Sequence, residues 1–228
     1  MSCGGRSRVS GRMGLAQRLR AETRDLHSVA ERAGIMPALL RGQLDRRTYC
    51  SLLRNLHAIY AVLEPALTRH ATHAMVSPVV FPALFRQAAL VDDLHLLHGD
   101  GWAGELPLQA ATAAYLERLR QIDVASPELL VAHAYVRSLG DLSGGQLLRG
   151  VVATSLQRRD GSGTRFYDFG SADEVAAHLR AFRGALNALP AGEAAADGIV
   201  AEARAAFERH AHLFEQLAAR DGLALPAA

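Results

Sequence analysis

Four residues near the start of the chain share one helical face and could hold a metal centre. In "LAQRLRAETRDLHSVAERAG", Arg20, Arg24, His27 and Glu31 follow one another at spacings of four, three and four, which stacks their side chains in a single stripe. The order is two cations, one imidazole and one carboxylate. A metal-bound imidazole wants an acceptor on its other nitrogen, and Glu31 can supply it directly or through water. The arginines, one and two turns away, can reach anionic groups of the same ligand. The alternative is a solvated stripe, with Glu31 paired to Arg24 or His27 and the histidine at the margin of the core.

A second stretch, "YVRSLGDLSGGQLLRG" from Tyr135 to Gly150, has apolar residues at helical spacing yet contains Gly140, Gly144, Gly145 and Gly150. Each glycine inside a helix costs about 1 kcal/mol relative to alanine. Such a helix can bend, and it exposes bare backbone against which a flat ligand can lie. Close packing of two helices would also use small residues. Arg137, Asp141 and Ser143, however, surround the glycines with polar groups that a packing contact does not need. A bent helix over a ligand, with a hydrogen-bonding network behind it, accounts for both features.

These stretches need a frame. Apolar residues recur at three- and four-residue spacing almost throughout and alternating runs are scarce, which predicts an all-α fold. Helices are expected near 13–33, 45–64, 83–97, 107–121, 127–155, 171–188 and 191–219. Pro37, Pro65, Pro78, Pro82, Pro107, Pro127 and Pro190 mark ends, as suits a residue without a backbone donor. Ser126-Pro127-Glu128 reads as an N-cap, a first-turn proline and a first-turn acid. The segment "RRDGSGTRFYDFGSADE", Arg158 to Glu174, is the clear non-helical connection. With neither repeat nor linker, one domain over 13–220 is expected, flanked by tails at 1–12 and 221–228.

Composition narrows the classes. The 228 residues are 50% hydrophobic and 21% charged, enough for a sizeable core. A formal charge of +2 does not point to nucleic acid, and no apolar run approaches the roughly 18 residues of a membrane span. All 25 basic residues are arginine, suited to bidentate contact with carboxylate or phosphate. Cys3 and Cys50 form neither a disulfide framework nor a C-x-x-C-H haem attachment. A soluble, cytoplasmic protein of a reducing compartment is expected. "MSCGGRSRVSGRMGLAQRLR" lacks acids outright, as a transit peptide or a disordered tail would. His70 with His73, His95 with His98, and His210 with His212 are expected to be exposed pairs rather than metal ligands.

"ETRDLHSVAE", "LHAIYAVLEPAL", "PVVFPALFRQAAL", "PELLVAHAYVRSLGDLSGGQLL" and "HLFEQL" together resemble the haem oxygenases of the mammalian and bacterial type, over roughly residues 14–218. The "YVRSLGDLSGGQ" block is highly specific; the others are weak alone. The resemblance implies that His27 is the proximal haem ligand and Glu31 its partner. The glycine stretch, with Gly140, Gly144, Gly145 and Ser143, is then the kinked distal helix, pressing bound dioxygen toward a meso carbon. Haem b is both substrate and prosthetic group and O2 is co-substrate. The products are biliverdin, carbon monoxide and ferrous iron. Neutral imidazole suits this chemistry better than thiolate, which pushes electron density toward early O–O cleavage.

Asp141 matches the distal aspartate that orders water at the bound oxygen, and Arg137 and Tyr60 match its network partners. Arg20, Arg24, Tyr135 and Arg183 match propionate contacts, Arg20 and Arg24 standing where lysines are usual. One position departs: Leu179 replaces a basic residue expected four places before Arg183, with Arg180 alongside, which bears on haem seating. The α isomer of biliverdin is expected. Phe207, and less so Phe214, should wall the pocket. The implied electron donor is external, such as ferredoxin or flavodoxin with its reductase, docking on an arginine-rich face; a bilin-receiving photoreceptor is a possible product partner. The chain end "ARDGLALPAA" carries no apolar anchor and fits a soluble bacterial type. The rival is a haem-storage or transfer protein without turnover, for which an ordered distal water is unnecessary. A di-iron carboxylate bundle would need Glu-x-x-His pairs, and the sequence has none.

Overall fold

The computed structural model describes residues 13–158 and 160–222. The expected tail at 1–12, Cys3, most of the expected tail at 221–228 and the start of the transit-like segment lie outside them. Among the described residues there is no strand and no helix long and apolar enough to cross a membrane. The helices are α1 (Leu15–Arg32), α2 (Met36–Leu40), α3 (Arg46–Arg69), α4 (Gln87–Leu97), α5 (Trp102–Glu105), α6 (Ala110–Ala125), α7 (Leu130–Ala134), α8 (Gly140–Ser155), α9 (Ala172–Ala188) and α10 (Glu193–Arg220). α1 lies along α10, α3 along α4 and α6, and α10 also touches α6 and α7. Leu19, Leu53, Ile59, Leu63 and Leu217 are among the fully buried core.

Several ends are set by side chains from other helices. Asn55 on α3 accepts from Gln109 N and Thr112 Oγ1 at 2.9 and 2.7 Å and so fixes the start of α6. Glu64, also on α3, accepts from Arg86 N and, at 3.1 Å, Gln87 N, which opens α4 at Gln87. The helix expected over 83–97 is therefore split into a 3₁₀ turn at Pro82–Leu84 and α4. Asn187 on α9 accepts from Ala16 N at 3.0 Å and caps α1. α9 has its own capping box, in which Ser171 and Glu174 satisfy each other's backbone donors.

Three local expectations need correction. Pro65 does not end a helix but sits inside α3: Leu63, Ala66 and Leu67 are buried around it, and their packing outweighs the missing donor. Ser126 makes no side-chain cap; its carbonyl accepts from Leu129 N at 2.9 Å in a 3₁₀ turn over Pro127–Leu129. The segment from Arg158 to Glu174 is not wholly irregular, since Arg165–Tyr167 forms a 3₁₀ turn and α9 begins at Ala172. Asp93 of α4 holds that turn, accepting from Arg165 N and Phe166 N at 2.9 and 2.8 Å. Gly34 lets α1 turn into α2: its φ is +48°, and a Cβ there would stand 1.9 Å from the Phe214 carbonyl oxygen, so only glycine fits.

Candidate functional site

A cleft opens between α1 on one side and the segment Tyr135–Ser155 on the other. It has two adjoining lobes of about 340 and 590 Å³ that share His27, Val136, Gly140, Ser143 and Phe207 as walls. The inner lobe is mostly apolar, with Leu52, Leu56, Phe166 and Phe214 in its lining, and reaches Arg137, Asp141 and His210. The outer lobe is cationic, with Arg20, Arg24 and Arg183 around Tyr135.

His27 comes from the exposed face of α1, where its ring stands edge-on to Phe207 at 5.7 Å. Its Nδ1 is 3.6 Å from Glu31 Oε2. That is beyond a direct hydrogen bond but close enough for a water or a small torsional change to join them. The Nε2 side remains for a ligand.

Opposite, the run from Leu130 to Ser155 is helical throughout but not α-helical throughout. Tyr135–Leu139 forms a π turn immediately before Gly140, so the irregularity precedes the glycines instead of being centred on them. π turns of this kind widen a helix by one residue and recur at functional sites. The glycines then divide. A Cβ at Gly140 would meet no atom within 4 Å, and one at Gly144 only Leu148 at 3.8 Å; both line the cleft. Gly145 is turned away from it. A Cβ there would stand 3.3 Å from the Tyr167 carbonyl oxygen and 3.4 Å from the Phe169 ring, so this glycine serves packing. Ser143 is exposed at the shared wall.

Behind Gly140, Asp141 is held by two partners. Arg137 Nη2 donates to both carboxylate oxygens at 2.7 and 2.9 Å, and the Tyr60 hydroxyl donates to Oδ2. The guanidinium also lies over the Tyr60 ring at 5.4 Å. Burial raises the Asp141 carboxyl above its ordinary value, against the pull of Arg137 and Tyr60. Burial, reinforced by Asp141, places the Tyr60 hydroxyl well above its ordinary value, so it stays a donor. Burial works against the Arg137 charge, but Asp141 and Tyr60 outweigh it and keep the guanidinium protonated.

At the outer lobe Arg20, Arg24 and Arg183 are all exposed, and the Tyr135 hydroxyl lies 3.3 Å from Thr23 Oγ1. Leu179 packs on the core and Arg180 is outside the lining, so Arg183 is the one α9 cation in the cleft lining.

The Heme oxygenase family model matches residues 13–216. The chain belongs to the haem oxygenase family. It is 39% identical over 203 residues to heme oxygenase 1 of Synechocystis, covering 89% of this chain and 84% of that protein. The crystal structure of the Synechocystis heme oxygenase-1 in complex with heme superposes with a TM-score of 0.86 at 38% identity, covering 91% of this chain and 94% of that one. The heme oxygenase of Leptospira interrogans gives a TM-score of 0.85 at 34% identity, covering 89% and 99%. All-α architecture is thus shared with haem oxygenases of known structure.

The cleft fits what a haem oxygenase takes up. A flat macrocycle needs a wall without side chains, and Gly140 and Gly144 leave one. Its iron needs a donor opposite, which His27 offers, and its carboxylates need the arginines of the outer lobe. The inner lobe also carries two buried nitrogens without a protein partner, Arg137 Nε and His210 Nε2. His210 corrects an expectation, since it is only 3% exposed while His212 is exposed. Its position midway between Phe207 and Phe214, three and four residues away, puts it on their face of α10, a signal that reading it as a pair with His212 obscured. Its Nδ1 lies 2.8 Å from the Ala206 carbonyl. Of the other histidines, His70 meets Asp123, His95 meets Asp100 and His98 meets Glu105 at 2.9–3.0 Å; no metal-holding cluster occurs among the described residues.

Proposed function

We propose that the protein opens the haem b macrocycle with O2 and external electrons, releasing biliverdin, carbon monoxide and ferrous iron. Family membership supports the reaction class, since biliverdin formation is what haem oxygenases do. The observation that carries the residue assignment is the pairing of Asp141 with Arg137 and Tyr60 directly behind the bare backbone of Gly140. A haem store or carrier has no use for a buried carboxylate clamped beside the iron-facing wall.

Haem, when bound, supplies both the iron centre and the carbon skeleton that is consumed. His27 holds it through Nε2 while Glu31 accepts from Nδ1, which keeps the imidazole neutral and aligned. Gly140 and Gly144 admit the ring plane to backbone distance. Arg20, Arg24, Tyr135 and Arg183 take the propionates, and their placement at one end fixes rotation in the plane. The α isomer is the one that the family resemblance implies. Phe207 packs against His27 and bounds the pocket, and Ser143 faces its rim. Asp141 holds a water toward the reacting oxygen and hands on protons, with Arg137 and Tyr60 fixing its two oxygens. Gly145 acts at one remove, by letting α8 settle on Tyr167 and Phe169.

The electron donor is a soluble protein such as ferredoxin or flavodoxin with its reductase, and the setting is the cytoplasm; a photoreceptor that takes up bilin is one outlet for the product. The test is spectroscopic. Stoichiometric hemin is followed in air with ascorbate, or a ferredoxin and its reductase, in the presence of an iron chelator. Loss of the Soret band with growth of a broad red biliverdin band is expected. A stable ferrous–oxy spectrum under confirmed electron delivery would replace this reading with haem binding alone.

A further inference from the structure

A separate cavity of about 420 Å³ lies where the first turns of α3, the end of α4, residues 105–107 and the last turn of α10 meet. It shares no lining residue with either lobe of the cleft, and its size is within the range of about 300–1,000 Å³ usual for small-molecule sites. Arg46, Arg47 and Arg220 line it. Cys50 and Ser51, both buried, form its floor, and Leu97, Leu106 and Pro107 add an apolar wall.

The fold fixes one of these guanidinia and leaves the other two unspent. Arg220 Nε and Nη2 grip the two oxygens of Asp221 at 2.8 and 2.9 Å, and Nη2 also donates to Ser51 Oγ at 2.5 Å. Ser51 is held in turn by donating to the Arg47 carbonyl at 3.0 Å. Arg46 and Arg47 make no side-chain hydrogen bond or ion pair among the described residues. The acids nearby are committed: Asp45 caps α3 through Thr48, Asp221 holds Arg220, and Glu105 meets His98 at 3.0 Å. Of these three, only Glu105 lines the cavity. Spacing sets how the cations approach. Cys50 follows Arg46 by four residues and Ser51 follows Arg47 by four, so the two arginines head adjacent stripes of α3, about 100° apart around the helix, while Arg220 reaches Ser51 from α10. A planar carboxylate is satisfied by one guanidinium fork in its own plane. Three guanidinia arriving from different directions suit a tetrahedral oxyanion better.

We propose that this cavity binds a phosphate monoester: Arg46, Arg47 and Arg220 take the phosphate oxygens, and the body of the molecule lies against Leu97, Leu106 and Pro107. The site is independent of ring opening, and nothing in it rests on the haem chemistry above. A bound ester joins the start of α3 to the end of α10, so its occupancy is read first in the stability of the haem-free fold.

The experiment titrates the full-length, haem-free protein with phenyl phosphate, inorganic phosphate and acetate at constant ionic strength, reading arginine Nε–H resonances by ¹⁵N NMR and Tm by thermal unfolding. Phenyl phosphate is expected to saturate and to move the Arg46, Arg47 and Arg220 resonances together. It should bind about tenfold more tightly than inorganic phosphate, because its ring covers the apolar wall, and at a hundredfold excess over its Kd raise Tm by about 5–10 °C. The double variant Arg46→Gln with Arg47→Gln changes two exposed positions, so it is expected to fold and bind haem as the wild type does, while its affinity for phenyl phosphate falls at least about tenfold. The outer-lobe arginines offer the same probe a second place, so Arg24→Gln with Arg183→Gln is the control and should leave this binding intact. Binding lost in the control but kept in the Arg46→Gln, Arg47→Gln protein overturns the proposal. So does a drift that never saturates, acetate binding as tightly as phenyl phosphate, or inorganic phosphate doing so.

Discussion

If Gly140 and Gly144 exist to leave room for the substrate, replacing them should move stability and function in opposite directions. Gly140 has helical torsions, φ −62° and ψ −51°, and an added Cβ meets no protein atom within 4 Å. Gly140→Ala should therefore stabilise the haem-free protein by about 1 kcal/mol, the helix-propensity difference, and raise Tm by about 2–4 °C for a chain of this size. The same methyl projects into the cleft proposed to take the macrocycle. Overpacking of that kind costs about 1–3 kcal/mol, so haem affinity or ring-opening rate should fall about tenfold or more. Gly144→Ala, with only Leu148 at 3.8 Å, should behave alike. Gly145→Ala is the internal control: its Cβ would press on the Tyr167 carbonyl oxygen at 3.3 Å, so the propensity gain should be cancelled. Thermal unfolding without haem, hemin titration and biliverdin yield read the three variants. A Gly140→Ala protein that is less stable without haem, or that binds and cleaves haem as the wild type does, would refute the reasoning.

Three further outcomes are expected. Asp141→Ala should retain the Soret spectrum of bound haem while biliverdin yield collapses, since it removes the group proposed to carry protons and leaves His27 untouched; normal yield would remove Asp141 from its role. Arg183→Glu reverses the one α9 charge in the cleft lining and should lower haem affinity or change the isomer pattern on chromatography of the extracted bilins, and no change in either would contradict the propionate assignment. For the pH dependence of stability, burial takes His210 from 6.5 to about 3, so the unfolded state binds the extra proton between those values and stability falls as pH drops below 6.5. At about pH 5 the loss is about 2 kcal/mol from this residue. Glu202, lowered from 4.5 to about 2, begins to lose its contribution only below its ordinary carboxyl value of 4.5, so it leaves the part of that window from pH 6.5 to 4.5 clear. Denaturant titrations should show a shallower acid loss for His210→Gln, and an identical slope would place the effect elsewhere.

Periodicity was enough to read an all-helical chain and to put Arg20, Arg24, His27 and Glu31 on one stripe, because a helix imposes that spacing wherever it packs. The glycine run with Arg137 and Asp141 was equally legible as chemistry. What escaped was set by partners distant in sequence. Asn55, Glu64, Asp93 and Asn187 fix helix starts or turns 22 to 171 positions away, and no local window contains both halves of such a bond. Pro65 misled for the same reason, since the burial that keeps α3 going past it is tertiary. His210 needed the knowledge that α10 turns the Phe207 and Phe214 face inward. The His133–Glu202 pair, between α7 and α10, had no signature along the chain at all.

The π turn at Tyr135–Leu139 works as an index setting. An α-helix advances about 100° per residue, so the one residue it adds rotates everything downstream by that angle relative to α7. Deleting Ser138 to restore plain α-helix would leave the composition of the wall almost untouched. It would, however, swing Gly140 and Asp141 about a quarter-turn from His27, while α7 stayed tied to Tyr115 and Glu202. The active wall is thus phased by a single inserted residue, and a length change too small to alter the fold would put its carboxylate and its bare backbone out of register with the imidazole they face.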